Sequence, residues 1–380
     1  MKVDKELSVT EREGLGSVVT VVDVAGDART RGKIFGEIRR HQINAWIVDW
    51  LGSLRANGIA DPQEYIDAML RETDFLTAIR EHTPDVLEEV LGISEAAGQS
   101  IQLLLAAQFM DEEWAFRLRY NSKNAAVEKC SSLAIKAQKD STWIGQNMDL
   151  GRQTDGHQVV LRIAPAMDRP GALVFTIGGM IGLMGVNSRG VGLCVNSLRG
   201  LPSAHQGLPV AFVIRRLLQT ESVDAASAML RMVPHATSQH YLIADPNNIR
   251  SFEVSATEIV EYRSADPCRV LHTNHTLADE DVGTMSMSSQ IDSVARLHAL
   301  RSRLMSGHVC INTIKAALSS SDDVEHPVCK AAPLNSLNDA IGFTTGSMIS
   351  LLQHKSPTIA SWISCGPPCR RGYVAVHLRR

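Results

Sequence analysis

The run Cys130-Ser131-Ser132-Leu133-Ala134-Ile135, followed by Gly145-Gln146-Asn147-Met148-Asp149-Leu150, decides how this chain is read. Upstream of it, apolar residues recur at the three- and four-residue spacing of helices; downstream they follow the spacing of strands. Cys130 stands at the change, and Asp149 closes the second strand nineteen positions later. With a cysteine opening one strand and a carboxylate closing the next, a released α-amino group can act as the base for its own thiol.

Working outward, the spacing predicts helices over 29–54, 62–79, 84–97 and 101–118. Pro62 and Pro84 lie at helix starts and Gly98 at a helix end. A polar stretch, Asn121-Ser122-Lys123-Asn124, reads as an exposed connection leading to Cys130. Beyond Cys130 the pattern predicts strands over 132–137, 142–148, 158–163, 172–177, 180–187 and 192–196, with Gln138-Lys139-Asp140-Ser141 as a hairpin turn. Helices over 208–218 and 222–232 precede strands over 240–244, 251–254 and 259–262. Helices over 290–305 and 311–319 precede strands over 345–352, 359–364 and 373–378. The Thr284-to-Ser289 segment reads as a mobile loop. The class is α+β, with a mainly helical first third.

Composition narrows the function classes. With 44% hydrophobic and 21% charged residues over 380 positions, the chain has ordinary globular usage. A net charge of −3, from 38 basic and 41 acidic residues, and the lack of a long basic block argue against nucleic acid as a partner. The charged start Met1-Lys2-Val3-Asp4-Lys5-Glu6 is not a secretory signal, and no stretch approaches the roughly 18 apolar residues of a membrane helix. The expectation is a cytoplasmic protein without membrane contact. Its seven scattered cysteines read as mostly free thiols.

If the Lys129-Cys130 bond is cut, the new α-amine has a reference pKa of about 7.7–8.0 and the thiol about 8.5. Both then exchange protons near neutral pH, so a histidine is not required. Asp149 suits a partner for the resulting ammonium, and its charge would raise the amine's basicity; it reads equally as a turn aspartate. Gln146 and Asn147 are candidates for oxyanion or substrate binding, with cross-strand polar contacts as the alternative. Cys365 and Cys369 lack a second Cys/His pair at zinc spacing, so no metal is expected, and Gly366-Pro367-Pro368 reads as a structural turn. A redox role for these two cysteines would require a reversible disulfide between them. Gly178, Gly179 and Gly182 lack phosphate-loop spacing and mark close backbone approach in a sheet.

The ordered set of Cys130-Ser131-Ser132, Gly145 to Asp149, Gly190 to Arg199, Leu208-Pro209 to Arg215, His272-Thr273-Asn274-His275 and Cys365-Gly366-Pro367-Pro368-Cys369 resembles a known family. This is the acyl-coenzyme A:6-aminopenicillanic acid acyltransferase family, the self-cleaving cysteine branch of the N-terminal-nucleophile hydrolases, related to the choloylglycine hydrolases. The likeness covers about residues 130–376, with a weaker match from Arg31-Gly32 to Arg40. It implies a four-layer αββα sandwich in which residues 1–129 form a helical α chain and 130–380 a β-chain catalytic core, a heterodimer from one precursor. It implies Cys130 as nucleophile and, with Lys129, as the self-cleavage site. Asp149 becomes the partner of the freed amine and Asn274 an oxyanion donor, with Asn196 a second polar position near it and His275 a structural neighbour. The implied substrate is a small N-acyl amide or acyl thioester. No cofactor is implied, acyl-CoA entering only as a substrate.

One position departs from the family. Its members commonly carry glycine before the nucleophile, where backbone strain exposes the carbonyl to attack; this chain has Lys129. Lys129 leaves open an uncleaved family member acting as a binding or scaffold protein.

Overall fold

Alternating strands with one apolar face each, and helices with one apolar stripe, can all be buried only in layers. The computed structural model describes residues 9–10, 18–118, 129–138, 140–198, 200–278, 287–331, 342–354 and 356–379. The predicted connection at 121–124, Lys139 of the hairpin, Arg199 and 284–286 of the expected mobile loop lie outside these residues. Met287, Ser288 and Ser289, the rest of that loop, begin a helix instead.

The helices are α1 (Ala28–Ile38), α2 (Arg40–Ala56), α3 (Pro62–Glu72), α4 (Phe75–His82), α5 (Pro84–Ala97), α6 (Ile101–Ala107), α7 (Met110–Arg117), α8 (Val210–Leu217), α9 (Val223–Met232), α10 (Met287–Leu304), α11 (Ile311–Leu318) and α12 (Pro368–Arg371). The strands are β1 (Val9–Thr10), β2 (Val19–Val24), β3 (Ser131–Gln138), β4 (Ser141–Leu150), β5 (Gln158–Ile163), β6 (Ala172–Ile177), β7 (Met184–Asn187), β8 (Gly192–Ser197), β9 (Gln239–Ala244), β10 (Ile249–Val254), β11 (Ile259–Tyr262), β12 (Arg269–His272), β13 (Phe343–Gln353), β14 (Thr358–Ser364) and β15 (Val374–Arg379).

Two sheets form. One has nine strands in the order β1-β2-β5-β6-β7-β8-β9-β10-β11; the other has six, β12-β3-β4-β13-β14-β15. They face each other: a Cβ on Gly192 in β8 would meet Ile144 and Leu352, and one on Gly346 in β13 would meet the Phe175 ring of β6. Helices of the first third cover the outer face of the larger sheet, with Trp46 lying over Gly178. On the far side, α10 and α11 cover the smaller sheet through Leu297, Leu300, Ile314 and Leu318, which pack on Leu133, Ile135 and Trp143. This is the expected αββα order. Among the described residues no helix is long and apolar enough to cross a membrane.

Differences from the sequence reading have local causes. The helix predicted over 62–79 breaks because Thr73 is extended and Asp74 caps a new helix, accepting from the Thr77 N–H. The one predicted over 101–118 breaks at Gln108, whose side-chain amide donates to the Leu104 and Gly179 carbonyls and accepts from Ile181 N–H, pinning the helix layer to the sheet. The 29–54 helix divides at Arg39, whose φ of −108° and ψ of 16° leave the helical region. The first 129 residues also supply strand: β2 joins β5 as a parallel pair in an otherwise antiparallel set of named strands. Its Val-Thr-Val-Val sequence has the β-branched content of a buried strand. Strand β12 and the short α12 are likewise additions.

Glycines set the packing of α1 on α5. A Cβ on Gly32 would sit 2.0 Å from the Glu89 carbonyl oxygen, and one on Gly92 2.3 Å from that of Arg29, so the two helices approach closer than side chains permit. Beside this contact Glu89, on α5, is buried between Arg31 of α1 and Arg215 of α8, with Arg215 bidentate at 2.6 and 2.9 Å. Burial pushes the Glu89 carboxyl up, but the two guanidinium groups outweigh it and hold the group below its ordinary range. The pair joins the first third of the chain to the part beyond Cys130. Replacing Glu89→Gln strands two buried guanidinium charges. The expected loss is about 3–5 kcal/mol in urea unfolding; a loss under about 1 kcal/mol would contradict this role.

Candidate active site

Cys130 sits just ahead of β3, 4% exposed. The strand's alternation sends Cys130 and Ala134 toward the space between the sheets, and Leu133 and Ile135 toward α10 and α11. In that inter-sheet space the neighbouring thiol is Cys194 on β8, which burial, and next the Cys130 thiol, push well above its ordinary range.

Hydrogen bonds converge on Cys130 from distant stretches. Its backbone N–H donates to Asn274 Oδ1 at 2.8 Å. Its carbonyl accepts from Arg296 Nη1 at 2.7 Å, and the same nitrogen donates to Ser131 Oγ at 2.9 Å. Arg296 Nη2 reaches Asn274 Oδ1 at 3.0 Å, while Nε donates to Asp292 Oδ2 at 2.8 Å. Asp292 takes Lys129 Nζ on its other oxygen at 2.6 Å, with His326 Nδ1 at 3.2 Å from that oxygen. Burial acts against the Asp292 charge, yet Arg296 and Lys129 hold its carboxyl below the ordinary range.

Asn274 follows β12 in a turn fixed on both sides. Its N–H donates to Ser293 Oγ at 2.8 Å, and its amide nitrogen to the Ser197 carbonyl at 3.0 Å. Asn196, fully buried on β8, uses its amide nitrogen to hold the His272 and Thr273 carbonyls at 3.1 and 2.8 Å, so its side chain supports the turn that carries Asn274. His275 bonds Ser293 Oγ at 2.7 Å, and burial lowers it to about 4, which keeps it neutral. Beside Ser197 lies a cleft of about 50 Å³ lined by Asp111, Trp114, Ser203, Thr237 and Gln239.

The other predicted polar residues lie on β4. Gln146 spans the inter-sheet space, with both ends of its amide on the backbone of Val195. Asn147 points the opposite way and donates to the Leu318 and Val328 carbonyls at 2.7 and 3.0 Å. Asp149 shares the parity of Asn147, so its side chain leaves the sheet on the helix side while the Cys130 thiol leaves on the other. It is 1% exposed. Burial raises its carboxyl to about 7 against the pull of Arg296 and, less, of the Thr344 hydroxyl and of Lys330. Cys369 meets Cys329, thiol to thiol at 2.7 Å.

Arg296 and Asp292 were not candidates from sequence. A signal was present: they lie four apart on α10, next to the apolar series Leu297, Leu300 and Leu304, where long charged residues are seldom buried without partners.

Comparison with known proteins gives the following. The sequence model described as acyl-coenzyme A:6-aminopenicillanic acid acyl-transferase matches residues 136–344, a span that begins six positions after Cys130 and includes Asp149, Asn196, Asn274 and Arg296. The acyl-coenzyme A:6-aminopenicillanic-acid-acyltransferase 40 kDa form of Emericella nidulans is 24% identical over 273 residues, 71% of this chain and 73% of that protein. Among solved structures, a variant of the conjugated bile acid hydrolase from Clostridium perfringens is similar at a TM-score of 0.44 and 12% identity, over 66% of this chain and 97% of that one. Penicillin V acylase from Agrobacterium tumefaciens is similar at 0.38 and 15%, over 63% and 84%.

The buried Asp149 has a pH signature. An unfolded aspartate titrates near about 3.9, whereas here the group is raised to about 7. Its favourable contribution is therefore full below the unfolded value and is lost as pH rises toward 7. In a Cys130→Ala chain, which keeps the peptide bond intact, adding Asp149→Asn should raise the melting temperature more at pH 8 than at pH 4. Comparing the two variants separates Asp149 from Glu112, which burial raises to about 8. A gap independent of pH would contradict the assignment.

Proposed function

The chain belongs to the acyl-coenzyme A:6-aminopenicillanic acid acyl-transferase family, and from this we propose a cysteine enzyme that activates itself by cutting the Lys129-Cys130 bond. It then hydrolyses or transfers the acyl group of a small N-acyl amide or acyl thioester. The observation that carries the reading is the joint grip of Asn274 and Arg296 on the two sides of Cys130, its N–H and its carbonyl.

In self-cleavage the Cys130 sulfur adds to the Lys129 carbonyl carbon, the C–N bond breaks, and the thiol proton passes to the departing nitrogen. Water hydrolyses the resulting thioester, leaving a Lys129 carboxylate, a free thiol and a free α-amine. The amine gains donors that an amide lacks. Asp149, a carboxyl buried in the uncut chain, supplies the counter-charge that such an ammonium needs, and the pair raises the amine's basicity. The hydrogen bond to Asn274 Oδ1 carries over from the amide to the amine.

In turnover the same amine takes the thiol proton and returns it to the leaving group, while the sulfur holds the acyl group as a thioester. The Asn274 amide nitrogen donates to the tetrahedral oxyanion. It rests on the Ser197 carbonyl in the uncut chain, and a charged oxygen competes for it because charge-assisted bonds are stronger. Asn196 acts by holding the turn. Water as acceptor gives hydrolysis and an amine gives acyl transfer, with the same residues in the same roles.

Incubation with an acyl-CoA or an N-acyl amide, followed by acid quench and peptide mass analysis, should find the acyl mass on the peptide that starts at Cys130. Cys130→Ala should remove both adduct and turnover, by roughly 10³-fold or more; turnover undiminished in that variant would overturn the proposal. Asp149→Asn should lower turnover by roughly 10- to 100-fold.

A further inference from the structure

Lys129 stands directly before the nucleophile, and the structure gives its side chain a specific seat. The ammonium lies 2.6 Å from Asp292 Oδ1, with the lysine side chain 19% and the aspartate side chain 4% exposed. Lysine side chains ahead of a strand ordinarily extend into solvent, since fixing one loses about 2 kcal/mol of rotamer freedom. Here that loss is offset by a carboxylate that burial makes a strong acceptor.

Asp292 is not an isolated anchor. Its second oxygen is bound to Arg296, one turn further along α10, and Arg296 binds the Cys130 carbonyl. Asn274 Oδ1 accepts from the Cys130 N–H and from Arg296. The two residues flanking the Lys129-Cys130 bond are thus attached to one rigid body. The acyl side is held through the lysine ammonium, and the amine side through the carbonyl and N–H of Cys130. A glycine exposes a carbonyl by backbone freedom; a residue with a Cβ needs its carbonyl fixed from outside.

We propose that Lys129 is the positioning residue for self-cleavage, its ammonium seated on Asp292 so that the Lys129 carbonyl is presented to the Cys130 thiol. Lys129 takes no part in the bond changes themselves. Those remain attack of sulfur on the carbonyl carbon, rupture of the C–N bond with the thiol proton moving to nitrogen, and hydrolysis of the thioester by one water. The inference rests on the reading that the chain cuts itself at this bond.

The test follows the full-length chain from expression, by gel and intact mass, in wild type, Lys129→Met, Lys129→Arg and Asp292→Asn, with melting temperatures measured alongside. Methionine keeps the aliphatic length and removes the charge. The expected result is cleavage slowed at least tenfold, equivalent to about 1.4 kcal/mol, in Lys129→Met, with a cooperative melting transition retained in that variant. Lys129→Arg, which keeps the charge, should return to within about threefold of wild type. Asp292→Asn should match Lys129→Met if it folds; the two lysine variants decide the matter if it does not. Wild type that cleaves while Lys129→Met cleaves equally fast overturns this inference and leaves the cysteine enzyme standing. Wild type that stays whole, with Cys130→Ala indistinguishable from it, overturns the self-cleavage reading and this inference with it.

Discussion

The guanidinium of Arg296, fully buried on α10, is the constraint on which the site depends. It draws together Asp292, the Cys130 carbonyl with the Ser131 hydroxyl, and Asn274, groups from three separate stretches of chain. A cation in this position must have its donors satisfied, because an unpaired buried charge is costly. The start of β3, the turn after β12 and the helix above them are therefore held in one arrangement.

The layered fold makes such a site possible. The six-stranded sheet separates two environments: the thiol lies in the inter-sheet core, and the charged cluster of Lys129, Asp292, Arg296 and Asp149 lies toward α10 and α11. Cys130, just ahead of β3, has its N–H and carbonyl held by Asn274 and Arg296. That is where a cut would place an amine. The same layering holds the first third of the chain against the rest by buried links such as Glu89 with Arg215 and Gln108 with Gly179, so breaking one peptide bond before β3 does not by itself remove what joins the two parts.

Much of this was legible in the sequence where the signal is local. The strand reading of 132–137 and 142–148 falls within β3 and β4, and the change of period at Cys130 coincides with the passage from the helix layer to the sheets. Strand β2 went unread although its β-branched run was visible, and the long helices predicted over 29–54, 62–79 and 101–118 are each divided. Two of those breaks depend on Asp74 as a cap and on Gln108 reaching across to Gly179, a tertiary contact 71 positions away. Arg296 was the least legible, since its partner Cys130 is 166 positions distant and periodicity carries no information over that separation. Residue type and the change of period pointed to Cys130, while Asn274 entered through the family resemblance. The face on which Asp149 lies followed only once the register with β3 was known.

The central claim is that the bond before Cys130 is broken by its own thiol. N-terminal sequencing of the purified wild-type protein tests it most directly. The account predicts a chain beginning Cys-Ser-Ser-Leu at Cys130, held with its upstream partner and missing from the Cys130→Ala protein. A single intact chain of 41.4 kDa that persists under conditions of full folding would contradict it.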